Sequence, residues 1–598
     1  MLDLTAPPQP LTRRQRVVFW IAAAVCAATR FAALARSLWD WDEALFCLGM
    51  RSYDVTSHHP HPPGFPIYIA AAKIARLFTH DDFRALQSIN LIAAILLFPA
   101  VFFLARELRM RFETSLVAGL LCAFLPNVWF FGGTAFSDVP SITLVVFAAA
   151  LLLRGCRDAN AYLVGAFVLA LACGIRPQNI LIGLVPGAVA TWYRARHSFR
   201  DVVFAALVGA ATVALAFGSA IHATGTWEQY ITSVRAHSDY IAHVDSWRAP
   251  GRPPLWRLFA PFFLQQYQFR PLAIVMSVFV LVSAAGAIRQ RDRAVLLAFL
   301  TFAPFAVLAW LMLDRFSINR FSIGYCPMFV ILAADGIARA ARHRARAELA
   351  VGLVIAAAFA IWTWPALTTV RNEVAPPVQA MQAIRERLDR RRDHLFVAFG
   401  MVPFMEYFNP YFPYQRVNDE HSLPLAIANR RPWLVGEVDP DAAQGVTFRR
   451  DRGRLWNITR RHYFAVSLEP LRGVPGFGAG WYPPERSEAE EWRWMAGHSV
   501  TELPPVHGQA WLRLAFDVPD ETLPRHPAIT VTLNGTILDR FRAGEAHLVR
   551  EYYVDIAPGS PNTLELDVDR TANPARAHTG NDNRELGLLV RSISWGGG

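Results

Sequence analysis

Apolar stretches of close to twenty residues recur along the first 364 positions, separated by short polar segments rich in arginine. A helix needs roughly 20 apolar residues to cross a hydrocarbon core. The pattern predicts eleven spans, near 17–36, 84–105, 114–132, 138–154, 161–175, 178–193, 201–221, 271–288, 294–313, 322–339 and 348–364. One further apolar run, Pro66 to Phe78, is short for a span and suits a helix lying along the membrane surface. Beyond Trp364 hydrophobic density falls. A helical stretch from Pro377 to Arg392 precedes short apolar strands at His394–Gly400 and Pro432–Val438, an α/β signature. From about 456 the runs are strand-like, among them Ala510–Val518, Ile529–Leu533, Tyr552–Ile556, Thr563–Val568 and Leu586–Ile593, with Asn-Gly and Pro-Gly turns between. The expected architecture is an α-helical polytopic membrane domain over 1–364, a small α/β segment over 365–450 and a carbohydrate-binding-like β-sandwich over 451–598.

Composition agrees: of 598 residues 53% are hydrophobic, and mean hydropathy is +0.24. The net charge of +11 does not point to nucleic acid, because the arginines form short clusters between apolar runs and no basic stripe. With a cytoplasmic N-terminus the inside loops hold Arg13, Arg14 and Arg16; Arg106, Arg109 and Arg111; Arg154 and Arg157; Arg194, Arg196 and Arg200; Arg289, Arg291 and Arg293; and Arg339, Arg342, Arg344 and Arg346. The positive-inside rule therefore sets one orientation, and an odd number of spans leaves everything after Trp364 outside. The first apolar run lacks a small-residue cleavage site and reads as an anchor. No cysteine follows Cys326, so the outer region carries no disulfide framework.

Under this topology the long outside loops are 37–83 and 222–270, and chemistry is expected there. The first opens with Asp40, Trp41, Asp42 and Glu43 at the membrane edge. Two readings are open: a solvated helix cap with a Trp interface anchor, or a general base with a neighbouring carboxylate that orients it or binds a divalent metal. Next comes His58-His59-Pro60-His61-Pro62-Pro63-Gly64, either a rigid turn or a phosphate or metal contact. Arg315 and Arg320 sit in the outside turn before the tenth span, against the trend that arginine stays inside, and planar guanidinium groups bind two phosphate oxygens at once. Arg176 at an outer helix end is a second candidate, with snorkelling as its alternative. Phe136-Ser137-Asp138-Val139-Pro140 reads as an ordinary N-cap in a supporting position. The second loop brings Arg235, His237, Asp239, Tyr240 and His243, as surface residues or as a group over the first loop. Trp481, Trp492 and Trp494 are core aromatics or a sugar-stacking face.

A first helix followed by the Asp42-Glu43 pair, then a His/Pro-Pro-Gly loop and a short surface helix, resembles the polyprenyl-phosphate-sugar-dependent GT-C glycosyltransferases, which include the bacterial relatives of protein O-mannosyltransferases and the lipid A aminoarabinose transferases. The likeness covers roughly 15–340, with 39–68 its most specific part. It implies an inverting hexosyl- or pentosyl-type transfer at the outer face of a bacterial inner membrane, from a polyprenyl-phosphate-linked sugar to a glycan, lipid or protein acceptor. Asp42 would be the base, with Glu43 beside it. Asp40, His61, Arg176, Arg315, Arg320, His237 and Tyr240 would bind substrate, and Glu43 with His59 would hold a divalent metal if one is used. This chain has His61-Pro62-Pro63 where the aminoarabinose transferases typically show Lys-Pro-Pro, and Asp40 is an extra acid. The alternative is a transporter or flippase for a lipid-linked or anionic substrate, although transporters bind near the midplane and these charges lie at the outer edge.

Overall fold

The computed structural model describes residues 3–244, 246, 248–249, 253–312, 318–417, 431–438, 446–450, 463–470, 476–486, 491–504, 506, 508–557 and 562–597. They form two compact units, Met1–Val378 with Arg450–Tyr463, and Gln379–Arg449 with Phe464–Gly598.

The first unit is helical in chain order: α1 (Arg13–Phe31), α2 (Trp41–Arg51), α3 (Pro66–Thr79), α4 (Asp82–Glu107), α5 (Phe112–Phe124), α6 (Pro126–Phe131), α7 (Asp138–Gly155), α8 (Ala159–Ile175), α9 (Ile180–Ala195), α10 (Phe199–Thr224), α11 (Trp227–Val244), α12 (Phe259–Leu264), α13 (Arg270–Gln290), α14 (Arg293–Met312), α15 (Ile318–Phe321), α16 (Cys326–Ala340) and α17 (Ala345–Asn372). Each expected span has a helix, the third divided at Leu125 where Pro126 opens a new turn. Among the described residues six helices are long and apolar enough to cross a membrane: Asp82–Glu107, Asp138–Gly155, Phe199–Thr224, Arg270–Gln290, Arg293–Met312 and the run Ala345–Arg387. The polar ends of the apolar runs set the boundaries. Thr12 and Gln15 form a capping box before α1, and Asp81, Asp158 and Ser198 accept backbone N–H bonds ahead of α4, α8 and α10.

Without water to compete, helices inside a membrane are joined by close packing of small residues and by side-chain hydrogen bonds. Both occur. A Cβ on Gly336 would stand 1.9 Å from the Phe279 carbonyl oxygen, so glycine lets α16 lie directly on α13. Thr114 donates to Glu348 at 2.5 Å between α5 and α17, and Ser283 to Asp335 at 2.6 Å between α13 and α16. The six cysteines are buried and free.

The expected surface helix is α3. It buries Pro66, Tyr68, Ile69 and Ala72 while leaving Ile74, Leu77 and Phe78 exposed, the two-faced pattern of a helix lying along an interface. The second long loop lies against the first. Tyr230 on α11 donates to the Pro63 carbonyl at 2.8 Å, and Val55, Ala220 and Tyr230 share an apolar cluster.

In the second unit, helix α18 (Pro376–Arg387, which begins in the first unit) and helix α19 (Val402–Phe408) accompany a five-stranded sheet. Its strands are β1 (Asp393–Ala398), β2 (Tyr414–Val417), β3 (Arg431–Glu437), β4 (Val446–Arg449) and β5 (Ala465–Pro470), in the order β2-β1-β3-β5-β4. β1 pairs in parallel with β2 and β3, the α/β pattern read in the sequence. The sheet takes its fifth strand from beyond 450, where the α/β segment was expected to end, because β5 pairs antiparallel with both β3 and β4.

The remaining strands are β6 (Gly476–Phe477), β7 (Trp481–Arg486), β8 (Glu491–Met495), β9 (His498–Glu502), β10 (Gly508–Asp517), β11 (Ala528–Leu533), β12 (Thr536–Arg542), β13 (His547–Ile556), β14 (Thr563–Val568) and β15 (Leu589–Gly597). They make two sheets, β13-β10-β15-β8-β7 and β12-β11-β14-β9-β6. Between them lies an apolar core that includes Leu512, Leu514, Phe516, Ile529, Val531, Leu564, Leu566 and Ile593. Asn534 and Gly535 both have positive φ, 51° and 76°, as a two-residue type I′ hairpin between β11 and β12 requires. Trp481 packs on this core and donates to the Val500 carbonyl at 3.1 Å, so it is a core aromatic.

Candidate active site

The site forms where helix ends meet. Asp40 is the N-cap of α2: its carboxylate accepts from the Asp42 N–H at 3.0 Å and completes a capping box with Glu43. Glu43, fully buried, accepts the N–H groups of Trp39 at 2.7 Å, Asp40 at 3.1 Å and, from the turn before α7, Ala135 at 2.8 Å. Both acids therefore hold backbone. In this arrangement Asp40 and Glu43 brace the first turn of α2, Glu43 through three N–H groups. Burial pushes the Glu43 carboxyl up to about 8, partly offset by the bonds from Trp39 and Ala135.

Fixing the first turn of α2 in this way turns Asp42 toward the ends of α7, α8 and the turn before α16. One Asp42 oxygen pairs with the Arg320 guanidinium. The Nε of Arg320 donates to Asp138 at 3.1 Å, and its charge lies 4.6 Å over the Phe136 ring. Arg176, just past α8, donates to the same Asp138 oxygen at 2.9 Å and to the Ser137 hydroxyl at 3.0 Å. Two carboxylates and two guanidinium groups thus form one neutral, largely buried chain from α2 to α8. Burial works against the Asp42 charge, but the Arg320 and Arg176 guanidinium groups outweigh it and hold the carboxyl down at about 2. Burial opposes the Arg320 charge likewise, and Asp138 and Asp42 raise its pKa above the usual value.

His61 closes the other side. Its Nδ1 stands 4.0 Å from the second Asp42 oxygen, without a hydrogen bond, and its ring packs against Phe46 and Phe65. Burial is the main cause that brings its pKa to about 3, so the imidazole is neutral. His237 of α11 lies 5.7 Å from the His61 ring and 5.9 Å from that of His58. Tyr240 is farther out, 6.5 Å from His237 and 54% exposed. The loop depends on Gly64, whose φ is +98° and where a Cβ would stand 2.2 Å from the Tyr53 hydroxyl.

Of the residues expected in the site, Asp42, His61, Arg176, Arg320 and His237 come together, Tyr240 stays at the rim, and Arg315 lies outside the described residues. His59 pairs its backbone with Asp54 in an isolated bridge. Among the described residues no three His, Cys, Asp or Glu side chains gather to hold a metal ion, so the metal expected at Glu43 and His59 does not fit this arrangement. Asp138, expected as a supporting residue that reads equally well as an N-cap, is the acceptor shared by both arginines. Ser137 makes no side-chain cap bond to α7, which is the difference from an ordinary N-cap.

No family model and no curated protein matches the sequence. Among solved structures the chain is similar to ArnT from Cupriavidus metallidurans bound to undecaprenyl phosphate, with TM-score 0.48 and 12% identity over 76% of this chain and 98% of that one. It is similar also to the Archaeoglobus fulgidus oligosaccharyltransferase in complex with Zn and sulfate, with TM-score 0.42 and 11% identity over 97% of each chain. A third is the mycobacterial arabinofuranosyltransferase AftD, with TM-score 0.37 and 12% identity over 99% of this chain and 61% of that one.

Proposed function

We propose that the chain is a membrane glycosyltransferase that moves a hexosyl- or pentosyl-type sugar from a polyprenyl-phosphate carrier to an extracytoplasmic envelope acceptor, with inversion at the anomeric carbon. The observation that carries the reading is the chain Asp42–Arg320–Asp138–Arg176 at the helix ends, with neutral His61 beside it. A carboxylate and two guanidinium groups at one membrane edge match a reaction that removes a proton and releases a phosphate. The resemblance of residues 39–68 to the GT-C glycosyltransferases supports the same reading.

In this mechanism the acceptor hydroxyl gives its proton to Asp42 as its oxygen attacks the anomeric carbon. The bond from that carbon to the phosphate oxygen breaks, and polyprenyl phosphate leaves with the electron pair, its charge met by Arg320 and Arg176. Asp42 held at about 2 by Arg320 is a weak base. The donor phosphate competes for the same guanidinium, and its binding frees the Asp42 carboxylate. Glu43 and Asp40 act by holding the first turn of α2.

The test is reconstitution of the full chain with a polyprenyl-phosphate sugar and an acceptor glycan, measuring polyprenyl phosphate released. Asp42→Asn is expected to slow release by about 10²–10⁴-fold. Equal release from wild type and variant would sink the assignment of the base.

A further inference from the structure

The outer face of one sandwich sheet carries a feature that its core does not require. Along β13, Tyr552 and Val554 pack on the core, so Glu551, Tyr553 and Asp555 point away from it, and Tyr553 is 84% exposed. On β10, Leu512 and Leu514 are core residues and Trp511 and Arg513 alternate with them on the outer side. The antiparallel register sets Trp511 opposite Tyr553, Arg513 opposite Glu551 and Gln509 opposite Asp555. Trp511 is part-buried, and on its other side it pairs with Gly596 of β15.

Two aromatic rings therefore share a sheet face between two polar rows. Arg513 donates to Glu551 at 3.1 Å with side chains 42% and 55% exposed, a pair too open to matter for stability. Side chains on one face of a strand repeat about every 7 Å, so the apolar strip is one residue pair deep. That is too narrow for the core of a protein–protein interface, which covers on the order of 800 Å² per partner. The outward charges sum to a negative value, one arginine against Glu551 and Asp555, which opposes an anionic lipid surface. A sugar ring has the matching chemistry: an apolar C–H face for the aromatic rings, and hydroxyls around its edge for the amide, carboxylate and guanidinium groups on either side.

We propose that Trp511 and Tyr553 form a binding platform for an uncharged or amino-substituted glycan. The proposal is argued from the second unit alone and does not rest on the transfer reading. The full chain in phosphatidylcholine nanodiscs is applied to an array of hexose, pentose and amino-sugar oligosaccharides, and captured glycans are titrated by tryptophan fluorescence. At least one glycan class is expected to bind. Trp511→Ala and Tyr553→Ala should each weaken it about tenfold or more, and Tyr553→Phe should keep most of the affinity. Thermal unfolding of Tyr553→Ala should match wild type, because its ring is outside the core. Asp42→Asn should bind the glycan as wild type does, which separates this result from a failure of the transfer reading. Three outcomes would overturn the proposal: no glycan captured, capture unchanged in both alanine variants, or brominated-lipid quenching that is smaller in Trp511→Ala than in wild type, which would make the face a membrane contact.

Discussion

Asp138 is the residue on which the site's electrostatics turn, since it is the single acceptor shared by Arg176 and Arg320. Removing its charge leaves two buried guanidinium groups competing for Asp42 and Ser137. Breaking a buried pair from one side exposes the desolvation of the remaining charge. Asp138→Asn is expected to destabilise the chain by about 2–4 kcal/mol, seen as a fall in detergent-solubilised melting temperature, and to slow transfer more than Asp138→Glu does. Glu43 gives a second prediction, of pH dependence. Its folded value, about 8, lies above the ordinary 4.5, so between those values the folded chain binds a proton that the unfolded chain has released. Stability from this group is thus full below 4.5 and declines as pH rises through about 8. The melting temperature of wild type should fall over that window relative to Glu43→Gln, and parallel curves would remove Glu43 as the cause.

Among elements, the His-Pro loop and α2 position Asp42 and His61 while their own residues make few catalytic contacts. Gly64→Ala would meet both a left-handed φ and the Tyr53 hydroxyl. A cost of about 1–3 kcal/mol is expected, with a loss of transfer activity and an unchanged helical circular-dichroism signal. If activity stays at wild-type level, the loop does not position the site. This is also the scale at which the sequence reads best and worst. The helices of the first unit were legible because long apolar runs have one physical use, and β10, β11 and β14 because alternation and Asn-Gly punctuation act locally. Asp42 and Arg320 were legible because charge at a membrane edge is costly without a purpose. Asp138 was not, because Ser-Asp-Val-Pro is chemically identical to a helix cap until Arg176 and Arg320 are seen to reach it. Glu43 is the converse: an acid beside a base candidate is indistinguishable in sequence from the third residue of a capping box, and the bond from Ala135, 92 positions away, is what shows that it braces the backbone.

For the whole molecule the requirement is that the end of α1, the starts of α2 and α7, the end of α8 and the turn before α16 lie at one face of the membrane. The ion pairs from Asp42 to Arg320, Arg320 to Asp138 and Asp138 to Arg176 join these ends. Helices that alternate in direction satisfy this when an even number of crossings separates Asp42 from Asp138, and Asp42 from Arg320. Two crossings, α4 and α5–α6, lie in the first interval; the second adds α7, α8, α9, α10, α13 and α14 for eight in all. The arginine-rich loops lie at the opposite ends, and from the positive-inside rule we expect those ends to be cytoplasmic. We expect reporter fusions after residues 157 and 291 to be active as cytoplasmic fluorescent proteins, and fusions after residues 80 and 372 to be active only as exported phosphatase. An exported reporter at 157 together with a cytoplasmic one at 80 would invert the molecule, place Asp42 and both arginines beside the cytosol, and take away the extracytoplasmic acceptor on which the transfer reading depends.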